Sequence, residues 1–221
     1  MLSKSSSTFA STACAANIAE MDFIHKFIPG KLPVTVLLLH GSGGDENDLL
    51  PISRALAPGA AVLSPRGSVT QHGAYRFFAF PGPDGFDPEE VRQRVGELVE
   101  WLKRMTAQHN LEPSRLYALG YSNGANMAAA TMLLYPEALA GACLLRARAV
   151  IQPATQPNLN GVPVLISAGQ TDQLIPASSA ESLSEILTIA GAHVDLAIQN
   201  AGHELTPADF SLAKQWFARL L

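Results

Sequence analysis

The feature that most restricts this chain is a repeated exchange between two hydrophobic periods. From about residue 34 onward, short apolar runs of the β type alternate with longer stretches whose apolar residues recur every three or four positions. An extended run without polar interruption has to be covered on both faces, whereas a three-to-four repeat buries one stripe of a helix. Strand and helix in alternation predict an α/β fold with a mostly parallel central sheet flanked by helices. Val34 to Leu39 is the clearest run, and Ala61 to Leu63, Leu116 to Leu119, Ala142 to Leu145 and Val164 to Ile166 repeat the type. Val194, Leu196 and Ile198 instead alternate with Asp195 and Ala197, which places that strand nearer a sheet edge, one face less covered.

The helices carry their own start signals. Asp87-Pro88-Glu89-Glu90 combines an N-cap acid, a first-turn proline and a glutamate at the third position, and Val91, Val95, Leu98, Leu102 and Met105 then form one buried stripe. Ser178 and Glu181 form a capping-box pattern ahead of Leu183, Ile186 and Leu187, with Gly191 as a stop. Thr206-Pro207 opens a last helix in which Phe210, Ala213, Phe217 and Leu220 share a face. Pro65 to Phe86 and Ala149 to Gly161 read as loops, both too short for a separate cap domain, so the cleft is expected to be open. Residues 1–20 read as a poorly ordered tail and residues 21–221 as a single catalytic domain.

Composition narrows the function classes. With 48% hydrophobic and 15% charged residues, the 221-residue chain can build one substantial core. Its net charge is -4 and its 15 lysines and arginines are scattered, so nucleic-acid binding is not expected. No apolar stretch approaches the ~20 residues of a spanning helix, which argues against stable membrane insertion. Ser11, Thr12 and Asn17 interrupt the one stretch that faintly resembles a signal peptide, and a cytoplasmic location is expected. Cys14 and Cys143 suggest no disulfide framework, and no Cys/His spacing suggests a metal site.

The most informative residues are Gly120-Tyr121-Ser122-Asn123-Gly124, a G-x-S-x-G motif between an expected strand and an expected helix. A nucleophilic serine has to protrude from a tight strand-to-helix turn, and glycines two before and two after it remove side chains that would collide there. The turn also aims the Asn123 amide and the start of a helix dipole at developing negative charge. A bare match of this kind occurs by chance; its placement is what gives it weight.

A serine hydroxyl needs a base, and the base needs a group that fixes its tautomer. His203 is the candidate base, lying between the last strand and the last helix; Asp172 is the candidate orienting acid, in Gly169-Gln170-Thr171-Asp172 directly after a strand. Asp195 falls within an alternating strand and Glu204 adjoins the base, so both read as surface acids. His25, His109 and His193 read as solvated or core-edge residues, His72 as a residue of the long loop and a candidate substrate contact, and His40 as packed or hydrogen-bonded. Leu39-His40-Gly41-Ser42-Gly43-Gly44 is a buried strand running into a glycine-rich turn, and the Ser42 amide is the expected second oxyanion donor beside that of Asn123. The turn has neither a Gly-Lys-Ser/Thr ending nor a G-x-G-x-x-G pattern, so nucleotide binding is not expected.

Together, His40 to Leu49, Ser64-Pro65-Arg66-Gly67, Arg76-Phe77-Phe78, Gly120 to Asn126, Gly169 to Asp172 and Gly202-His203 resemble the carboxylesterase/lysophospholipase group of α/β-hydrolases, relatives of acyl-protein thioesterases and dienelactone hydrolases. The chain order Ser122, Asp172, His203 is the α/β-hydrolase order. The resemblance implies a compact α/β-hydrolase fold without a cap, no cofactor, frequent homodimers, and hydrolysis of short- to medium-chain acyl esters through an acyl-enzyme on Ser122. It also implies that Phe77 and Phe78 stand beside the substrate pocket, with packing in the core as the alternative. The same three residues would serve an acyl thioesterase or a lysophospholipase, and a hydrolase-fold binding protein with a vestigial site is the alternative of a different class. Arg146-Ala147-Arg148 departs from the apolar residues usual in the group: arginines reaching the cleft would favour an anionic substrate, while the plainer reading is a strand end and loop.

Overall fold

The computed structural model describes residues 22–80 and 85–221, so the expected tail over residues 1–20 lies outside the described residues. Its larger sheet contains β1 (His25–Ile28), β2 (Thr35–Leu39), β3 (Ala61–Pro65), β6 (Leu116–Tyr121), β7 (Gly141–Leu145), β8 (Pro163–Gly169) and β9 (His193–Gln199); the loop after β3 adds β4 (Val69–Gln71) and β5 (Ala74–Arg76). The order across the seven-stranded sheet is β1-β3-β2-β6-β7-β8-β9. Among the described strands of that sheet, only the β1–β3 pairing is antiparallel. The five residues of β2 are all buried, because Leu37 and Leu39 face one hydrophobic cluster while Val36 and Leu38 face another across the sheet.

The helices α1 (Leu50–Leu56), α2 (Pro88–His109), α3 (Asn123–Leu134), α4 (Ala177–Ile189) and α5 (Pro207–Ala218) cover those faces. Asp87 caps α2 by accepting from the Glu89 amide at 3.0 Å, and the stripe from Val91 to Met105 is buried as its spacing requires. α3 is apolar nearly all round and buried along eleven of its twelve residues, as expected for a helix lying in the interior. The fold is thus the α/β-hydrolase arrangement, a mostly parallel sheet between helical layers. No helix among the described residues is long and apolar enough to cross a membrane.

Two local expectations change, and one short helix is unanticipated. Ser178 is not an N-cap: α4 starts at Ala177 after Pro176, whose extended backbone (φ -55°, ψ 146°) ends the preceding loop before Ser178 is reached. The expected loop after β3 contains the β4–β5 hairpin, since His72 (φ 51°) and Gly73 (φ 76°) both take the left-handed conformation that a two-residue hairpin turn needs. α1, with seven residues, is too short for its apolar period to stand out in the sequence. By contrast, β9 is a sheet edge, with Leu196 and Ile198 partly exposed.

Candidate active site

Chain order and sheet order part company at β2: β3 lies on one side of it and β6 on the other. Crevices open at the carboxyl ends of strands where such a reversal occurs. The turn carrying Ser42 leaves β2 there, and the turn carrying Ser122 leaves β6 beside it.

Ser122 has φ 51° and ψ -114°, a strained backbone for a residue with a Cβ. Packing enforces it. A Cβ on Gly124 would stand 2.1 Å from the Leu39 carbonyl oxygen, and one on Gly120 would stand 2.6 Å from the Ala125 Cα, so the turn closes only with glycine at both places. The Ser122 amide donates to the Leu145 carbonyl at 2.9 Å, which fixes the turn to the end of β7.

The structure brings together the three residues singled out for nucleophile, base and orienting acid. His203 Nε2 lies 3.0 Å from Ser122 Oγ, and His203 Nδ1 lies 2.7 Å from Asp172 Oδ2. The other oxygen of Asp172 accepts from the amides of Leu174 at 2.8 Å and Ile175 at 2.9 Å. Burial by itself would raise the Asp172 carboxyl; the Ile175 amide, the His203 ring and the Leu174 amide outweigh it and hold the group below the usual carboxylate range. An acceptor-only carboxylate at Nδ1 leaves the proton there and the lone pair of a neutral ring on Nε2, facing the hydroxyl.

The loops bearing Asp172 and His203 are stitched by backbone bonds from Gln170 to Gln199 and from Thr171 to Ala201. Gly169 allows the approach, for a Cβ on it would stand 2.1 Å from the Gly202 carbonyl oxygen. Tyr121, within the serine motif, donates its hydroxyl to the His203 carbonyl at 3.0 Å. Ser42 and Asn123 both line the cleft, and neither amide is paired with another protein group among the described residues. The two amides are therefore available to an oxyanion.

His40 sits behind this turn. Its Nδ1 donates to the Gly41 carbonyl at 2.7 Å and its Nε2 accepts from the Gly67 amide at 2.9 Å, which is the neutral form; burial lowers its pKa and favours that state. Glu46 and Arg66 lock the same region with a two-pronged pair at 2.6 and 2.9 Å. Glu204 is exposed, and Asp195 is exposed and paired with Arg219. No group of three or more His, Cys, Asp or Glu side chains among the described residues is arranged to hold a metal ion.

The aromatic expectation is corrected. Phe77 and Phe78 are 1% and 0% exposed and do not line the cleft. The Asn123 side chain clamps their backbone, accepting from the Phe77 amide at 2.8 Å and donating to the Phe78 carbonyl at 3.2 Å, so both rings turn into the core. Phe80 and Phe86 line the cleft instead, with Leu174 and Ile175, around a volume of about 300 Å³.

The two arginines of the unusual segment part ways. Arg146, fully buried, pairs with Asp209 through both oxygens at 2.8 and 2.9 Å, and donates to the carbonyls of Gly202 at 3.0 Å and Glu204 at 2.8 Å on either side of His203. Arg148 lines the cleft. Periodicity could not reveal the Arg146 anchor, because its partners around His203 and at Asp209 lie 56 to 63 positions away.

A family model described as Phospholipase/Carboxylesterase matches residues 30–220. MhqD of Bacillus subtilis (strain 168) is 36% identical over 193 residues, spanning 87% of this chain and 96% of that protein. The crystal structure of the Bacillus cereus carboxylesterase is similar with a TM-score of 0.86 and 37% identity, covering 89% of this chain and 94% of the other. The structure of YahD with malic acid is similar at a TM-score of 0.84 and 26% identity, covering 90% and 100%.

Proposed function

The chain belongs to the phospholipase/carboxylesterase family and is an esterase, and from that premise we propose that it hydrolyses short- to medium-chain carboxylic esters through an acyl-enzyme on Ser122. The observation that carries this reading is the hydrogen-bonded row from Asp172 through His203 to the Ser122 hydroxyl. Ser122 Oγ attacks the ester carbonyl as His203 Nε2 takes its proton, and the amides of Ser42 and Asn123 receive the oxyanion. His203 returns the proton to the departing alcohol. Water, activated by the same imidazole, then attacks the acyl-enzyme and releases the acid.

A panel of oxygen esters and thioesters of graded acyl length, including esters of small acids the size of malic acid, tests the reading with Ser122→Ala as control. Turnover in the variant is expected to fall by several powers of ten while its unfolding midpoint holds, leaving at most the ~10³–10⁴-fold residual over water that binding and the oxyanion donors provide. Undiminished hydrolysis by Ser122→Ala, or no labelling of Ser122 by a fluorophosphonate, sinks the proposal.

A further inference from the structure

Two arginines, Arg76 and Arg148, line the same cleft as Ser122 and His203, and no acidic residue among the described residues does. Neither takes part in an ion pair among the described residues. Three other sheltered arginines pair with acids, Arg66 with Glu46, Arg94 with Glu97 and Arg146 with Asp209, while Arg115 donates to the Leu220 carbonyl. Arg148 has no such acid among the described residues. Its Cζ lies 4.9 Å over the Phe86 ring, its own amide is held by Asn126 Oδ1 at 2.8 Å, and burial lowers the pKa of its unpaired side chain. Arg76 donates to the Ser42 hydroxyl and lies 5.2 Å over the Phe80 ring, while its buried Nε has no partner among the described residues.

A partly desolvated cation without a counter-charge is costly, and ring faces offset only part of that cost. A ligand anion supplies the remainder. We propose that the cleft selects esters bearing a carboxylate, namely monoesters of short dicarboxylic acids, with Arg148 pairing the free carboxylate and Arg76 adding to the positive field. This rests on the esterase reading of Ser122. Phe80, Phe86, Leu174 and Ile175 supply apolar walls for the methylenes between ester and carboxylate, and a volume of about 300 Å³ suits a short linker. In the reaction, water cleaves the bond between acyl carbon and alkoxy oxygen, yielding dicarboxylate, alcohol and a proton; the recognised carboxylate is unchanged.

The test compares monoethyl glutarate with ethyl pentanoate, which share an acyl length and differ in the terminal carboxylate. The parent enzyme is expected to favour the glutarate monoester in kcat/KM. Arg148→Met and Arg148→Gln are each expected to cut that preference about tenfold or more, with Arg148→Lys keeping part of it. A parent that prefers the neutral ester, or variants that lose both substrates in equal proportion, would overturn the proposal. Calorimetric binding of free glutarate separates it from the reading it rests on, since binding requires no chemistry at Ser122. Binding that depends on Arg148, with no hydrolysis sensitive to Ser122→Ala, supports the anion subsite and sinks only the esterase mechanism. Hydrolysis sensitive to Ser122→Ala, with neither substrate preference nor glutarate binding dependent on Arg148, sinks only the subsite.

Discussion

The Asp172 carboxylate is buried and fully occupied, one oxygen by the imidazole and the other by two backbone amides. The amides fix its orientation, so the ring it holds has one favoured tautomer. Asp172→Asn preserves size and removes charge; if the amide's donor faces Nδ1, the ring proton is driven to Nε2. Turnover is then expected to fall by about 10⁴-fold with little change in folding, as kinetics alongside a urea melt would reveal. Phe77 and Phe78 teach the opposite lesson at the same scale. Their chemistry suits a pocket wall, yet two hydrogen bonds from Asn123 turn them inward and leave that position to Phe80 and Phe86.

Among the elements, the segment joining β9 to α5 depends most on distant support. Arg146 reaches it from the end of β7, holding the carbonyls of Gly202 and Glu204 and the carboxylate of Asp209. Asp209 in turn accepts from the Thr206 amide and hydroxyl at 2.7 and 2.8 Å and from the Ser167 hydroxyl at 2.6 Å. Burial opposes ionisation of Asp209, and Arg146, Ser167 and Thr206 together keep it below its ordinary pKa. Arg146→Met leaves that carboxylate buried without its cation and is expected to cost about 3–5 kcal/mol in urea unfolding. Turnover should fall as well, because the loop that carries His203 loses two anchors; a variant with unchanged kcat would show that the remaining bonds position the base unaided.

For the whole molecule, stability in the acid range depends in part on carboxylates that the fold keeps ionised. The hydrogen bonds of Arg66 bring Glu46 from 4.5 to about 2, and Asp172 and Asp209 move in the same direction. A depressed carboxylate stabilises the folded state fully above its unfolded pKa and loses that contribution as pH falls toward its folded pKa. Urea midpoints are therefore expected to be level near neutrality with respect to these groups and to drop between about pH 4.5 and 2. Glu46→Gln should flatten part of that drop and lower stability at neutral pH. A profile unaltered by the substitution would remove Glu46 from the account.

Periodicity in the chain was enough for the α/β class, most of the sheet strands, the stripe of α2 and the edge position of β9, because burial on one face or two leaves a local mark on residue order. The G-x-S-x-G turn was equally legible, since only glycines tolerate the approach of Leu39 and Ala125. Which loops meet at the sheet's carboxyl edge was decided by strand order, which no local pattern contains. Tertiary packing alone separated Arg146 from Arg148, burying one against Asp209 and leaving the other at the cleft, and it exchanged Phe77 and Phe78 for Phe80 and Phe86. Such outcomes depend on partners tens of residues away, and hydrogen bonds of that reach are settled by the assembled backbone.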